Sequence, residues 1–255
     1  MKKSLMTILF MVIVTVLFIS TLATVNEVSR ERIAENLKLN NYKSILYAFD
    51  ILPANIEEHD LGPASTTENI PYAESFITDR IESEIRELRL PVTAAQKDLL
   101  SGSFLSVSDS ITIYTRTDST GGIVSYGFPM RGKGLWGTIS AFGVISADLQ
   151  RMIGIDFTEQ VETPGLGARI TESEFKYFFR NLDLSGFFKS GRELAPVIMI
   201  KQKNRSNVEE STNELQAITG ATQTVDGVLK MVNTDLRFYI ALIQSNENAI
   251  NKVKS

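Results

Sequence analysis

The chain contains no cysteine and a single histidine in 255 residues. Without thiols it cannot build a disulfide, a thiolate zinc site, a cysteine-held iron–sulfur cluster or a thiol nucleophile from its own residues. A histidine-rich metal site is excluded as well, and a serine–histidine triad would have to recruit His59. That residue lies in Glu57-Glu58-His59-Asp60, a polar stretch that reads as a solvated turn with no nucleophile site around it. Positive charge is also short, since the net charge is −4. A nucleic-acid partner demands a basic face, so none is expected. Any redox chemistry must therefore come from a bound cofactor.

Apolar residues are plentiful at 43% of the chain, enough for one medium domain with a real core plus accessory segments. They are unevenly spread. After the short basic tail of residues 1–4, Leu5 to Val25 is uncharged and almost wholly apolar, and about twenty such residues match a bilayer core as a helix. A secretory signal peptide is the competing reading, with Thr21-Leu22-Ala23 as a loose cleavage site, but the run is long for one. An uncleaved transmembrane anchor over 5–25 is the expectation. The lysines on the short side and Arg30, Arg32 and Lys38 on the other nearly balance. A four-residue tail is the easier part to leave in the cytoplasm, which sends the large domain outward.

Glu27 to Ile51 reads as a charged helix stopped by Pro53, and Ala54 to Pro71 as a polar connection. Ala73 to Leu88 returns to helix with Phe76, Ile77, Ile81 and Ile85 on one face and Pro91 as its stop. Residues 26–100 thus form a helical juxtamembrane region. From Ser108 the period changes to two. Ile111–Thr115 and Ile123–Phe128 are expected strands joined through Gly121-Gly122, and Thr138–Ser146 pairs with Met152–Phe157 across Asp148-Leu149-Gln150. Thr171–Leu182 reads as a helix opened by a Thr171/Glu174 capping box. Leu194–Lys201 is a short strand. The fold class is mixed α+β, with the outer domain spanning 101–250.

Three glycine-bearing stretches stand out there: Arg131-Gly132-Lys133-Gly134-Leu135-Trp136-Gly137, Glu162-Thr163-Pro164-Gly165-Leu166-Gly167 and Gln216-Ala217-Ile218-Thr219-Gly220-Ala221-Thr222-Gln223-Thr224. The last runs into Val225, Val228, Leu229, Val232, Leu236, Tyr239, Ile240 and Ile243 at helical spacing, so a helix of about five turns starts near Thr222. Its N-terminus offers free N–H groups and the positive end of the backbone dipole to a phosphate. The plainer alternative is that a threonine simply caps the helix. A mononucleotide accounts for all three stretches together, its phosphate at the helix start and its ring on an apolar wall.

In order and spacing, these three motifs resemble the FMN-binding domain family. They are similar to the C-type component of the Na⁺-translocating NADH:quinone oxidoreductase and to the G-type component of the Rnf complex. The resemblance implies FMN held covalently by a phosphoester to Thr222, attached by a separate flavin transferase that uses FAD. Thr219, Gly220 and Ala221 would shape the turn that the transferase reads. Glu162, Thr163, Leu166 and Gly167 would contact the ring or ribityl chain, as would Leu135 and Trp136, and Thr224 is a neighbouring hydroxyl. The family's usual Asp three residues before the first threonine is Gln216 here. The implied role is electron relay in a membrane complex of several subunits, with the chain anchored in the lipid of the bacterial inner membrane and the domain on the periplasmic side. An FMN carrier for another extracytoplasmic reductase, and a flavin-free anchored interaction or sensor domain, are the alternatives.

Overall fold

A computed structural model describes residues 2–54, 56–57, 60–180, 182–188, 197–200, 214–247 and 250. His59 lies outside the described residues, as do the two ends of the strand expected at Leu194–Lys201. The chain forms two units, residues 1–41 and 42–255.

The first unit is helical. Helix α1 (Lys2–Ala48) begins in it, and its apolar side chains from Leu5 to Val25 are exposed, apart from half-buried Val14. By length and composition it is able to cross a membrane. The charged helix expected from Glu27 to Ile51 is the continuation of α1, which ends at Ala48.

The second unit takes in the last turns of α1, where Ile45, Leu46, Tyr47 and Ala48 are buried. The helix stops before Pro53 reaches it. Asp50 adopts a left-handed φ of 59°, its N–H bonds to the Tyr47 carbonyl, and the Ile51 N–H bonds back to Leu46. This pair of bonds satisfies the last free carbonyls of a helix without a glycine.

Helix α2 (Glu74–Glu84) is shorter than expected, because at Ile85 the chain becomes strand β1 (Ile85–Pro91). It pairs with β2 (Ser110–Thr117), from Ile85 opposite Arg116 to Pro91 opposite Ser110. The charged run Arg86-Glu87-Leu88-Arg89 suits a solvated helix face and an edge strand equally well, and only a partner strand decides between them. Pro91 is tolerated because β1 is an edge strand and the proline is its last residue. Between β1 and β2 lies a short helix, α3 (Ala94–Asp98), closed by a Thr93/Gln96 capping box.

Strands β3 (Ile123–Lys133), β4 (Thr138–Ser146) and β5 (Met152–Glu159) complete an antiparallel sheet in sequential order. The capping box expected at Thr171 is absent. Thr171 Oγ1 donates to the Ala168 carbonyl instead, in a 3₁₀ turn over Gly167–Thr171. The following helix α4 (Ser173–Tyr177) is only five residues long. The Ser173 hydroxyl donates to the Gly62 carbonyl and its N–H to Ser65, so tertiary contacts set that start. Strands β6 (Ile198–Ile200) and β7 (Glu214–Gln216) pair in parallel.

Helix α5 (Thr222–Ser245) packs on β3. Val225, Val228, Val232, Leu236, Tyr239 and Ile243 are buried, each contributing about 1.5–3 kcal/mol relative to exposure. Phe128 and Tyr239 stack with ring centres 4.0 Å apart, and the Tyr239 hydroxyl donates to the Pro129 carbonyl. The approach is closest at Gly227, where a Cβ would lie 2.2 Å from the Lys133 carbonyl oxygen. Helix and strand meet backbone to backbone at that point, which sets the first turn of α5 beside the β3–β4 hairpin.

Candidate functional site

The three glycine-bearing stretches come together around one buried carboxylate. Glu162, in the loop after β5, is 5% exposed. Its Oε1 accepts from the Trp136 N–H at 2.9 Å, in the β3–β4 hairpin. Its Oε2 accepts from the Thr224 hydroxyl at 2.5 Å, in the first turn of α5. The Trp136 indole N–H donates to Thr163 Oγ1 at 3.1 Å, a second tie between the same segments.

The mouth of α5 is built differently from the cap that a helix usually shows. Ala221 occupies the N-cap position, and among the described residues no side-chain cap bond to the first turn is made. Thr222 is the first helical residue and so does not cap the helix. It is exposed, whereas Thr224 is 1% exposed and commits its hydroxyl to Glu162. The two nearby hydroxyls are therefore unequal: one faces solvent at the positive end of the helix dipole, and the other is sequestered. Thr219 and Gly220 form the turn before it, with Gly220 at a φ of 79°. A Cβ there would also press on Leu166 Cδ2 at 3.0 Å, so the second motif abuts the third.

The rim is apolar and exposed. Leu135, Trp136, Val161 and Leu166 all present large hydrophobic surface, with Trp136 68% exposed. Uncapped amides, an outward hydroxyl and an exposed apolar rim fit a ligand with a phosphate and a flat ring. Among the described residues no cluster of His, Asp and Glu is arranged to hold a metal ion.

One buried acid on the same helix was missed by sequence reasoning. Asp235 is fully buried. It accepts from the Ser103 hydroxyl at 2.7 Å and from the Arg131 N–H at 2.9 Å. Burial without a cation pushes its carboxyl up to about 6, although both hydrogen bonds oppose the shift. Its sequence signal was available, because Asp235 sits one turn from Met231 and Val232, inside the apolar stripe.

Residues 134–237 match the FMN-binding domain family. The matched segment begins at Gly134, inside the first motif, and ends within α5, so it contains the second and third motifs whole and the last four residues of the first. The C component of a Na⁺-translocating NADH-quinone reductase from Pseudomonas aeruginosa is 28% identical over 146 residues, 54% of this chain and 54% of that protein. Its counterpart in Chlamydia pneumoniae is 31% identical over 136 residues, 50% of this chain and 42% of that protein. The G component of an ion-translocating oxidoreductase complex from Methanosarcina acetivorans is 25% identical over 131 residues, 51% of this chain and 60% of that protein. The chain thus spans about half the length of the curated relatives it matches. The crystal structure of Shewanella oneidensis NqrC shares the fold, with a TM-score of 0.57 at 18% identity over 80% of this chain and 98% of that one. The resemblance drawn from the motifs, to both kinds of component, holds.

Proposed function

We propose that the domain over 101–250 carries FMN in a phosphoester with Thr222 and serves as an electron-relay subunit of an ion-translocating NADH:quinone oxidoreductase. The observation that carries this reading is the contrast between exposed, uncapped Thr222 and buried Thr224 at the mouth of α5. Thr222 acts as acceptor: its oxygen bonds to the phosphorus of the FMN half of FAD, the pyrophosphate linkage breaks and AMP leaves. The hydroxyl proton passes to the flavin transferase that catalyses the exchange. Thr219, Gly220 and Ala221 form the turn the transferase reads, while Leu135, Trp136, Thr163, Leu166 and Gly167 line the ring or ribityl chain. Glu162 joins them as a ring or ribityl contact, with Thr224 bonded to its carboxyl group. When bound, the flavin supplies one-electron transfer, and the chain's own residues hold and orient it.

The anchor over 5–25 fixes the chain in the bacterial inner membrane. Residues 1–4 face the cytoplasm, the part of residues 26–100 that precedes Tyr42 lies next to the membrane, and the FMN domain, whose sheet has β1 as its edge strand, is periplasmic. Its partners are the other membrane proteins of the complex. The match to the G component of an ion-translocating oxidoreductase favours one second reading, an Rnf-type complex. The proteins that co-purify with the chain separate the two.

The deciding experiment is mass spectrometry of the peptide spanning Thr222, from protein made together with an FAD-dependent flavin transferase. A gain of one FMN less water is expected, lost in Thr222→Ala. An unmodified peptide rejects the covalent reading and leaves an anchored interaction domain.

A further inference from the structure

Glu162 stands where all three motifs meet, and both of its oxygens face protein. One holds the Trp136 amide and the other the Thr224 hydroxyl, while its own N–H donates to Gln160 Oε1 at 2.6 Å. Two glycines leave the room that this carboxylate fills. A Cβ on Gly134 would lie 2.4 Å from Glu162 Oε1, and one on Gly167 would lie 2.6 Å from Thr224 Oγ1 and 2.8 Å from Glu162 Oε2. Thus the glycines of the first and second motifs and the last threonine of the third share one contact point.

We propose that Glu162 is a positioning residue that joins the Trp136 hairpin to the first turn of α5 before any cofactor arrives. By occupying the Thr224 hydroxyl, it also directs attachment to Thr222. The inference rests on the FMN reading for its second half only. The joint itself exists in the bare chain, where Trp136 is the single tryptophan and so an intrinsic probe of the hairpin.

The test uses the full chain in detergent, as wild type, Glu162→Ala and Glu162→Gln, each made with and without the FAD-dependent transferase. Glutamine can still accept from Trp136 through its oxygen and donate to Thr224 through its amide. Without transferase, Trp136 fluorescence anisotropy should fall in Glu162→Ala and hold at the wild-type value in Glu162→Gln. With transferase, the rate of mass gain at Thr222 should fall about tenfold or more in Glu162→Ala, as misplaced reacting groups do. It should stay within about twofold of wild type in Glu162→Gln. Unchanged anisotropy and rate in Glu162→Ala overturn the proposal, and so does a Glu162→Gln variant as impaired as the alanine. If far-UV circular dichroism shows that Glu162→Ala does not fold, Thr224→Val and Thr224→Ser take its place. Valine should slow transfer and serine should not, and equal rates overturn the proposal. If wild type itself takes no flavin, the covalent reading fails, while the anisotropy comparison still decides the joint.

Discussion

Asp156 on β5 and Asp235 on α5 are both buried carboxylates, and the chain has compensated them in opposite ways. Asp156 Oδ1 accepts from Lys176 Nζ and from Thr67 Oγ1, each at 2.8 Å. That ammonium also sits 3.9 Å from the centre of the Tyr47 ring. Asp235 faces a serine hydroxyl and a backbone amide, with no cation in either bond. A buried pair costs little while intact and much when one partner is removed, whereas a carboxylate held by neutral donors drifts toward its protonated form. The first arrangement fixes the end of α1 to the sheet through an ion pair. The second ties the 99–107 segment to β3 and α5 in a way that responds to acid.

The largest way to break this contrast is Lys176→Met, which leaves Asp156 buried without its cation. Urea unfolding of the full chain in detergent should show a loss of about 3–5 kcal/mol. Adding Asp156→Asn to that variant should recover most of the loss, since neither charge then remains uncompensated.

Asp235→Asn should act in the other direction. The folded-state value of about 6 lies above the ordinary 3.8, so between those pH values the folded chain holds a proton that the unfolded chain releases. Stability therefore falls as pH rises from about 4 to about 6 and is flat above, a penalty on the order of 3 kcal/mol. Asparagine removes that slope. The variant should be more stable than wild type by about 2–3 kcal/mol at pH 8 and no more stable at pH 4. Denaturant midpoints across the pH range check both ends.

Ser103→Ala sharpens the same point with a smaller change. Removing the hydroxyl that donates to Asp235 should cost about 1–2 kcal/mol at pH 8, and less at pH 4, where the acid is protonated. Thr222→Ala is the smallest for folding, within about 0.5 kcal/mol, because the side chain is exposed and caps nothing. Thermal midpoints of the two proteins without cofactor should coincide.

Much of this molecule was legible one element at a time. The apolar run after residue 4, the β4–β5 hairpin and the α5 stripe beginning at Thr222 each carry a local period that admits one conformation. Ile85–Pro91 did not, because Arg86 to Arg89 alternate charge in a way that suits a helix face or an edge strand, and the choice belongs to β2. The Thr171/Glu174 pattern failed for a related reason: Arg169 pairs with Glu174 at 3.6 Å, and Ser173 is pinned by the 62–65 segment.

The sequence by itself determined where the last helix begins, since its apolar residues keep a helical period from Val225 to Ile243. Only the tertiary structure decided which hydroxyl faces out and which carboxylate faces in. Burial is a property of what packs from elsewhere in the chain. Glu162 lies 62 residues before Thr224, and no local pattern specifies that their side chains meet.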